Sequence, residues 1–285
     1  MSGILKAGVI GWPVAHSLSP TLHSYWLNKY KIEGSYELMP LEPHRVGEAI
    51  QTLHARGFCG ANVTVPHKEF AAQGMDKLDE TATALGAVNL INVHKDGKLE
   101  GRNTDGFGFV ENLTASAPGL DLKGARVCIL GAGGTTRAAG FALLKEGAEL
   151  RISNRTMEKS EALAELLQAQ AGGDITIVPW SERSQALEGI SFLVNTTSLG
   201  MVGQPALEID LAALPKDAVV TDCVYAPLET DLLKAARVRG NVGVDGLGML
   251  IHQARPAFKS WFGVDPEVSD DLRDALIAKQ RENTV

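Results

Sequence analysis

Short apolar runs alternate with helical patterns along nearly the whole chain. This alternation is typical of an α/β protein whose sheets are largely parallel. In the first hundred residues it predicts three strands, two helices with proline in the first turn, and a hairpin joined through Asp96-Gly97. The strands are Lys6–Ile10, Tyr36–Leu41 and Ala61–Val65, the helices Pro20–Tyr30 and Pro43–Arg56, and the hairpin Val88–Val93 with Lys98–Gly101.

A second series of strands and helices begins near Gly124, after a segment typical of a linker, Ala115–Gly124. Its predicted strands are Arg126–Leu130, Glu149–Ser153, Ile175–Val178, Phe192–Asn195, Val219–Asp222 and Val242–Val244. After Gly246 the pattern is helical to the end. Those last helices either complete the second series or cross back onto the first.

Length and composition narrow the class of protein. With 285 residues, 45% of them hydrophobic and 21% charged, the chain suits two globular domains. A net charge of −7 argues against sequence-independent binding to nucleic acid. Three cysteines without paired spacing favour a reducing cytoplasm, and we expect no signal peptide and no membrane segment. The seven histidines show no ligand spacing, so we expect no metal.

The strand that ends at Leu130 runs directly into a glycine-rich turn and then a helix. Its sequence is Gly131-Ala132-Gly133-Gly134-Thr135-Thr136. Strand, glycine turn and helix form the context in which a dinucleotide pyrophosphate binds at a helix N-terminus. Thr136 departs from the fingerprint at its third glycine position, so an ordinary strand–helix turn remains the alternative.

The next strand decides between the two nicotinamide cofactors. An NAD site usually places an acid about 20 residues after the glycines, where it accepts the ribose 2′-hydroxyl. Here Asn154, Arg155 and Thr156 follow the strand, with Lys159 one turn later. A guanidinium can grip a 2′-phosphate that a carboxylate would repel, so the sequence favours NADP. The alternative is that Arg155 is a solvated loop residue.

Three polar clusters fall where loops follow strands in the first half: Ser17 with Ser19, Asn62 with Thr64 and Lys68, and Asn89 with Asp105. Together they offer hydroxyls, amides, one cation and one carboxylate, which a polyhydroxylated acid requires. Each also has a structural alternative. Ser19 and Asp105 could cap helices, and Lys68 could be a surface lysine. In the second cluster, Asn62 and Thr64 are predicted to share one face of a strand, and Pro66 is predicted to begin a helix with Lys68 in its first turn.

These residues resemble the shikimate dehydrogenase family closely. The matching segments occur in the family's order and span nearly the whole chain. They are Ser17-Leu-Ser-Pro20, Asn62-Val-Thr-Val-Pro-His-Lys68, Gly86-Ala-Val-Asn89, Asn103-Thr-Asp-Gly106, Gly131-Ala-Gly-Gly134, Asn154-Arg-Thr156 and Asp245-Gly-Leu-Gly-Met-Leu-Ile-His-Gln253.

The resemblance implies a substrate-binding and catalytic domain (1–105 plus 246–285) into which a Rossmann NADP-binding domain (106–245) is inserted, with a cleft between them. The last helices would then cross back onto the first domain. It also implies that shikimate or 3-dehydroshikimate is the small-molecule partner, while a homodimer is compatible with the family.

The roles that the resemblance implies fall into three groups. Lys68 and Asp105 would form the catalytic pair. Residues Ser17, Ser19, Asn62, Thr64, Asn89, Tyr225 and Gln253 would bind the substrate together with that pair. Residues Gly131, Ala132, Gly133, Gly134, Thr135, Asn154, Arg155, Thr156, Lys159 and Gly246 would hold NADP, with Glu80 and Cys223 as weaker assignments; Cys223 suits a packing role equally well.

Three alternatives stay open. A quinate or dual quinate/shikimate dehydrogenase has the same fold, but members that favour quinate and NAD tend to carry threonine at Ser19 and an acid at Asn154. A non-catalytic module that senses the ligand would be expected to lack Lys68 or Asp105. More distant Rossmann oxidoreductases, such as those acting on folates or glutamyl-tRNA, would share the glycine turn but not the three polar clusters.

Overall fold

The computed structural model describes residues 4–283, which group into two compact units. Unit 1 comprises the chain up to Thr104 and again from Gln253, and unit 2 comprises Asp105–His252. The domains predicted from the resemblance would divide the chain after 105 and after 245. That assignment stays a prediction, because grouping by contacts does not show which molecule each unit binds.

Unit 1 is built from six strands and short helices within the described residues. The strands are β1 (Leu5–Gly11), β2 (Gly34–Pro40), β3 (Phe58–Val63), β4 (Lys77–Leu78), β5 (Leu90–Val93) and β6 (Leu99–Arg102). The helices are α1 (Ser19–Lys29), α2 (Val46–Gln51), α3 (Lys68–Gln73), α4 (Glu80–Leu85) and, at the C-terminal end, α10 (Asp270–Glu282).

The strands of unit 1 form one sheet in the order β2-β1-β3-β5-β6-β4. Neighbouring strands are parallel except at β5, which is antiparallel to both β3 and β6. Among the described strands of this sheet, β5 is therefore the one that runs against the rest. The core packs on strands β1, β3 and β5, where Ile10, Ala61 and Ile91 are fully buried.

Capping side chains set several helix starts. The Asp79 carboxylate accepts the Ala82 N–H at the start of α4, and Gly86 ends that helix in the left-handed conformation with φ 59°. Ser269 caps α10 in the same way by accepting the Leu272 N–H. Two aspartates in the first turn of α10, with Lys279 and Arg281 in its last turn, also suit the helix dipole.

Aromatic packing attaches the helix α9 (Leu247–Phe262) to the sheet of unit 1. The indole N–H of Trp261 donates to the carbonyl of Ile91 on β5 at 3.1 Å. The same indole lies against Gly60 on β3, where a Cβ would overlap Nε1 of Trp261 and the Ile91 carbonyl oxygen. Gly60 is therefore required by close approach, and this contact explains a glycine in the middle of a buried strand.

Unit 2 contains a second six-stranded sheet within the described residues, and all of its strand pairs are parallel. Its strands are β7 (Arg126–Leu130), β8 (Glu149–Asn154), β9 (Ile175–Pro179), β10 (Phe192–Asn195), β11 (Val219–Asp222) and β12 (Gly243–Val244). Its helices are α5 (Asp105–Ser116), α6 (Gly134–Lys145), α7 (Met157–Ala171), α8 (Asp231–Val238) and the first part of α9.

The order β12-β11-β10-β7-β8-β9 is that of a Rossmann fold. The strand order reverses between β7 and β10, so the loops after these two strands lie on either side of a crevice at the sheet edge. The α/β class and the Rossmann prediction are therefore confirmed. The strands predicted for this unit also agree, with ends that differ by at most one residue.

Unit 1 departs from the predictions at several elements. The third strand begins at Phe58 rather than Ala61 and ends at Val63, so Thr64 lies beyond it. The predicted helix Pro43–Arg56 is a 3₁₀ turn followed by the short α2, and the Thr52 hydroxyl donates to the Ala49 carbonyl where α2 ends. The strand β4 and helix α4 were not predicted, since both are too short to show a period.

The hairpin, α5 and α6 also differ from the predictions at their ends. The first hairpin strand begins at Leu90 rather than Val88, and the second ends at Arg102. The helix α6 begins at Gly134, inside the glycine-rich turn rather than after it. The helix α5 extends to Ser116, so the first two residues of the predicted linker are helical.

Substituting Gly60→Ala is expected to lower the free energy of unfolding by about 1–3 kcal/mol, because the added methyl group forces Trp261 or the β5 backbone to shift. Gly74→Ala in the same unit is the matched control, since its nearest neighbour atom would lie 3.5 Å from the new Cβ. Urea unfolding followed by tryptophan fluorescence measures both. Equal midpoints for the two variants would contradict the packing argument.

Candidate active site

The strand order of unit 1 reverses between β1 and β3, so the loops after these strands are neighbours at one edge of the sheet. Backbone hydrogen bonds join the two loops directly. The Thr64 N–H donates to the Ile10 carbonyl at 2.8 Å, and the Trp12 N–H donates to the Val65 carbonyl at 3.1 Å. This edge therefore brings the serines after β1 close to Thr64 and the segment leading to Lys68.

The antiparallel strand β5 brings a second pair of segments to the same edge. Because β5 runs against β3, its first residues lie beside the end of β3, and the Val63 N–H donates to the Asn89 carbonyl at 2.9 Å. The Asn89 N–H in turn donates to the Arg102 carbonyl at the end of β6 at 3.0 Å. The Val88 N–H donates to the Lys68 carbonyl at 2.9 Å, which fixes the start of α3 beside Asn89.

Side-chain hydrogen bonds connect the predicted substrate residues of this edge into one network. Asn62 Nδ2 donates to the Asn89 carbonyl at 3.1 Å. Asn89 Nδ2 donates to Thr104 Oγ1 at 3.0 Å and to Gln253 Oε1 at 3.3 Å. The Thr104 hydroxyl donates to the Gln253 carbonyl at 2.9 Å. The network thus fixes Asn62, Asn89 and Gln253 relative to one another.

Ser19 does not cap the helix α1, although capping was one possible role for it. The helix α1 begins at Ser19 itself, and Leu18 precedes it without a capping side chain. Ser17 Oγ accepts the Ser19 N–H at 3.3 Å. The two serines therefore lie side by side at the start of α1, with Ser19 buried and Ser17 half-buried.

The two predicted catalytic residues each begin a helix. Lys68 is the first residue of α3, two positions after Pro66, and its side chain is half-buried. Asp105 is the first residue of α5 rather than the cap before it, and it is buried. Asp105 follows directly on Thr104 in the chain but groups with unit 2.

In unit 2 the glycine-rich turn lies at the edge where the strand order reverses. Gly131 has φ 116°, which side chains rarely adopt, and its N–H donates to the Ser153 carbonyl of β8 at 2.8 Å. Gly133 and Gly134 are exposed, and a Cβ at either would meet no atom within 4 Å. The first turn of α6 therefore presents backbone amides to open space, as a phosphate requires.

Thr136 replaces the third glycine of the fingerprint with a hydroxyl that tightens the turn. Its Oγ1 accepts the Gly133 N–H at 3.2 Å and lies 2.7 Å from Thr196 Oγ1, in the loop after β10. Because the Thr196 hydroxyl donates to the Leu130 carbonyl at 2.7 Å, Thr136 must donate to Thr196. A Cβ on Gly131 would lie 2.5 Å from Thr196 Oγ1, so this pair and Gly131 pack against one another.

Two unpaired cations lie at the same edge. Arg155 and Lys159 are exposed, and neither side chain forms a hydrogen bond or ion pair with another residue in the described part of the chain. Asn154 Nδ2 donates to the Thr156 carbonyl at 2.9 Å and holds the turn that carries Arg155. Glu80 differs from the other predicted cofactor residues, because it is exposed in the first turn of α4 in unit 1.

Asp222 holds the segment that carries Cys223 and Tyr225. Its fully buried carboxylate accepts hydrogen bonds from Asn195 Nδ2 at 2.9 Å, the Val224 N–H at 3.0 Å and the Thr230 hydroxyl at 2.7 Å. Burial raises the pKa of Asp222 to about 6 against these hydrogen bonds, which lower it.

The charge of Asp222 also acts on Cys223. Burial, reinforced by the neighbouring charges of Asp222 and Asp105, raises the pKa of the Cys223 thiol well above its ordinary value, so this cysteine is not an activated nucleophile. Burial likewise raises the pKa of Tyr225. A Cβ on Gly246 would overlap the Cys223 carbonyl, which places Gly246 directly against this segment.

Sequence reasoning missed Tyr36, Thr104, Thr196 and Asp222, which hold the predicted residues in place. Thr104 lies inside a quoted motif between Asn103 and Asp105, so its position alone was a usable signal. Tyr36 and Asp222 gave none, since the side chains they hold lie 26 and 27 residues away along the chain.

The residues that the structure describes contain no group of three histidine, cysteine or acidic side chains placed to hold a metal ion. None of the helices among residues 4–283 is long and apolar enough to cross a membrane. The Rossmann strand order, the open glycine turn and the unpaired cations together define a nicotinamide-nucleotide-dependent oxidoreductase.

Comparisons with known proteins identify the family. Residues 9–91 match the shikimate dehydrogenase substrate binding domain, residues 113–200 match shikimate / quinate 5-dehydrogenase, and residues 246–273 match the shikimate 5′-dehydrogenase C-terminal domain. The shikimate dehydrogenase (NADP(+)) of Paramagnetospirillum magneticum is 51% identical over 280 residues, covering 98% of this chain and 100% of that one. The chain belongs to the shikimate dehydrogenase family.

Solved structures agree with this assignment. Shikimate 5-dehydrogenase from Thermus thermophilus, in complex with NADP(H) and shikimate, has a TM-score of 0.83 at 34% identity over 98% of this chain and 99% of that one. Quinate dehydrogenase from Corynebacterium glutamicum, in complex with NAD, has a TM-score of 0.90 at 30% identity over 96% and 99%. The fold is therefore shared by enzymes named for shikimate and by enzymes named for quinate.

Replacing Asp222 with asparagine is expected to change how stability depends on pH. The pKa of Asp222 is about 6 in the folded state and 3.8 ordinarily, so the folded state keeps the proton up to a higher pH than the unfolded state. As the pH rises between these two values, the free energy of unfolding therefore falls by about 3 kcal/mol. An amide keeps acceptors for Asn195 and Val224 but does not titrate. Relative to the unmodified chain, Asp222→Asn should therefore gain stability as the pH rises from about 4 to 7.

Urea unfolding at several pH values measures this difference. Asp217→Asn is the control, because it removes an exposed carboxylate from the same unit. A gap between Asp222→Asn and the unmodified chain that stays constant across the range would contradict the buried-carboxylate argument.

Proposed function

We propose that this chain catalyses the reversible NADPH-dependent reduction of 3-dehydroshikimate to shikimate, a step of aromatic amino-acid biosynthesis. The single observation that supports this most strongly is the convergence of Ser17, Ser19, Asn62, Thr64 and Asn89 at one sheet edge. Hydroxyls and amides there match the ring hydroxyls and carboxylate of shikimate, which the named Thermus thermophilus relative holds in its structure.

In this proposal each substrate residue has a part. Ser17 and Ser19 bind the substrate carboxylate through their hydroxyls, and Tyr225 is assigned to the same carboxylate. Asn62, Thr64, Asn89 and Gln253 bind the ring hydroxyls, in positions that their mutual hydrogen bonds support. Holding the substrate in one orientation is the larger contribution of such residues, because it removes rotational freedom before reaction.

Lys68 and Asp105 carry out proton transfer at the reacting oxygen of the substrate. As the carbonyl oxygen of the substrate becomes a hydroxyl, the Lys68 ammonium donates the proton that this oxygen takes up. Asp105 orients that ammonium and accepts a hydrogen bond from the same hydroxyl. In the reverse direction, neutral Lys68 takes the proton from the alcohol. When bound, NADPH supplies the hydride that reduces the carbonyl carbon.

The residues around the glycine turn fit NADP. The open space at Gly133 and Gly134 leaves room for a pyrophosphate against the amides of the first turn of α6. Ala132 and Thr135 complete this turn. Arg155 and Lys159 would pair with the 2′-phosphate, while Asn154 and Thr156 hold the turn that carries them. Gly246 and Cys223 would line the nicotinamide end, and Glu80 is the weakest of these assignments.

The setting and partners form part of the proposal. A net charge of −7 argues against binding to nucleic acid or to an anionic membrane surface, and we place the enzyme in the cytoplasm. Monomer and homodimer both stay open.

Dehydrogenation of quinate is the second candidate, favoured by the structural likeness to the Corynebacterium glutamicum quinate dehydrogenase. Ser19 and Asn154 argue for shikimate with NADP instead.

Initial rates with shikimate or quinate, each paired with NADP⁺ or NAD⁺, test the substrate and the cofactor together. We expect shikimate with NADP⁺ to dominate. Arg155→Ala should raise the KM for NADP⁺ roughly 10- to 100-fold, the effect of losing charge-assisted hydrogen bonds, and leave the KM for NAD⁺ nearly unchanged. Absorbance of the reduced nicotinamide follows every reaction.

Arg126→Ala is the matched control for Arg155, since it removes an exposed guanidinium at the start of β7, the opposite edge of the same sheet. A preference for quinate with NAD⁺ would overturn the choice of substrate and cofactor. Turnover with none of the four pairs, in folded protein that binds shikimate, would favour the sensing module.

Lys68→Ala is expected to lower kcat by about 10²–10⁴-fold, since proton transfer to the reacting oxygen is lost, with a much smaller change in the KM for shikimate. Lys98→Ala is the control, because it removes an exposed lysine from the hairpin turn of the same unit. Steady-state kinetics with circular dichroism to confirm folding measure both. A near-normal kcat in Lys68→Ala would exclude this lysine from the chemistry.

A further inference from the structure

Tyr36 on β2 is hydrogen-bonded to one of the predicted substrate residues, although no motif pointed to it. Its hydroxyl donates to Oδ1 of Asn62 at 2.7 Å, in the buried interior of unit 1.

The strand register explains how Tyr36 reaches Asn62 across β1. Tyr36 pairs with Ala7 and Asn62 pairs with Val9, two residues further along the same strand. Residues two apart on a strand lie on the same face, so the tyrosine side chain extends over β1 toward the end of β3. The small side chain of Ala7 leaves space for this crossing.

The ring of Tyr36 is held firmly. It stacks on the ring of His23 with centroids 4.0 Å apart and planes 4° from parallel. Burial lowers the pKa of His23 to about 3, so this imidazole is neutral. Burial also raises the pKa of Tyr36 well above its ordinary value, which keeps its hydroxyl a hydrogen-bond donor throughout the working pH range.

A donor at this position decides which way the Asn62 amide faces. With Oδ1 accepting from Tyr36, Nδ2 faces the Asn89 carbonyl and donates to it at 3.1 Å. The opposite orientation would set Oδ1 against that carbonyl oxygen, two acceptors without a proton between them. The second N–H of Asn62 Nδ2 points away from Tyr36. Through this N–H, Asn62 can donate a hydrogen bond to a ligand.

We propose that Tyr36 is a positioning residue for substrate recognition. Its hydroxyl fixes Asn62 with an N–H toward the substrate, so this edge selects an oxygen acceptor on the ligand. The inference rests on the proposed function, because it assigns Asn62 to the substrate.

The variant Tyr36→Phe removes the hydroxyl and keeps the stacked ring. The KM for shikimate should rise roughly tenfold, the effect of leaving the side-chain carbonyl of Asn62 without its buried donor. The KM for NADP⁺ should stay unchanged, and kcat should change less than the KM for shikimate. Tyr30→Phe is the matched control, since its hydroxyl accepts the Glu267 N–H at 2.9 Å elsewhere in unit 1.

A double-mutant cycle separates positioning from a general loss of structure. In an Asn62→Ala background, Tyr36→Phe should have little further effect on the KM for shikimate, because the amide it orients is gone. An equal fold-change in both backgrounds would overturn the proposal. Asn62→Asp is a second test that does not depend on how Tyr36→Phe folds: it keeps an acceptor for Tyr36 but lacks the N–H, and it should weaken shikimate binding at least as much as Asn62→Ala.

The unmodified chain is measured in the same assay. Normal shikimate turnover with an unaltered KM in Tyr36→Phe would reject the positioning role and leave the proposed function intact. Absence of shikimate turnover in the unmodified chain would reject the proposed function, and the positioning role would fall with it.

Discussion

In a parallel sheet, the point where the strand order reverses leaves the loops of two neighbouring strands without a helix packed between them. Both units of this chain place their candidate chemistry at such a point, between β1 and β3 in unit 1 and between β7 and β10 in unit 2. In unit 1 the antiparallel strand β5 adds to it, because reversing one strand brings Asn89 to the edge where β3 ends. The remaining features of each site depend on these two positions.

Placing polar side chains at a buried edge carries a cost that the structure has to offset. An amide or hydroxyl removed from water without a partner loses about 1–3 kcal/mol, so each such group needs a hydrogen bond. Asn62, Asn89 and Thr104 satisfy one another and the backbone, with Tyr36 at one end and Gln253 at the other. The same hydrogen bonds that offset burial also fix the orientation of these side chains relative to one another.

Unit 2 meets a comparable requirement with hydroxyls. The fingerprint calls for glycine where Thr136 stands, yet the turn is closed by the hydrogen bonds from Gly133 to Thr136, from Thr136 to Thr196 and from Thr196 to Leu130. This chain of hydrogen bonds links the loop after β7 to the loop after β10, across the point of reversal. The Gly133 N–H donates within this chain of hydrogen bonds, so the backbone amides after Gly133 are the ones that can bind a phosphate. A departure from the motif is thus compensated by contacts that the motif does not describe.

The sequence by itself determined the α/β class and the Rossmann series and named candidate residues for the chemistry, because apolar periodicity, glycine turns and polar motifs are local properties. It placed the helix starts at Ser19 and Lys68 within two residues, since proline marks them. Only the tertiary structure decided that Gly60 lies inside a strand, that Tyr36 donates to Asn62, and that Asp222 holds the Tyr225 segment. Each of these depends on a partner far away in sequence, such as Trp261 for Gly60, and hydrogen bonding and packing between distant residues leave no periodic trace along a chain.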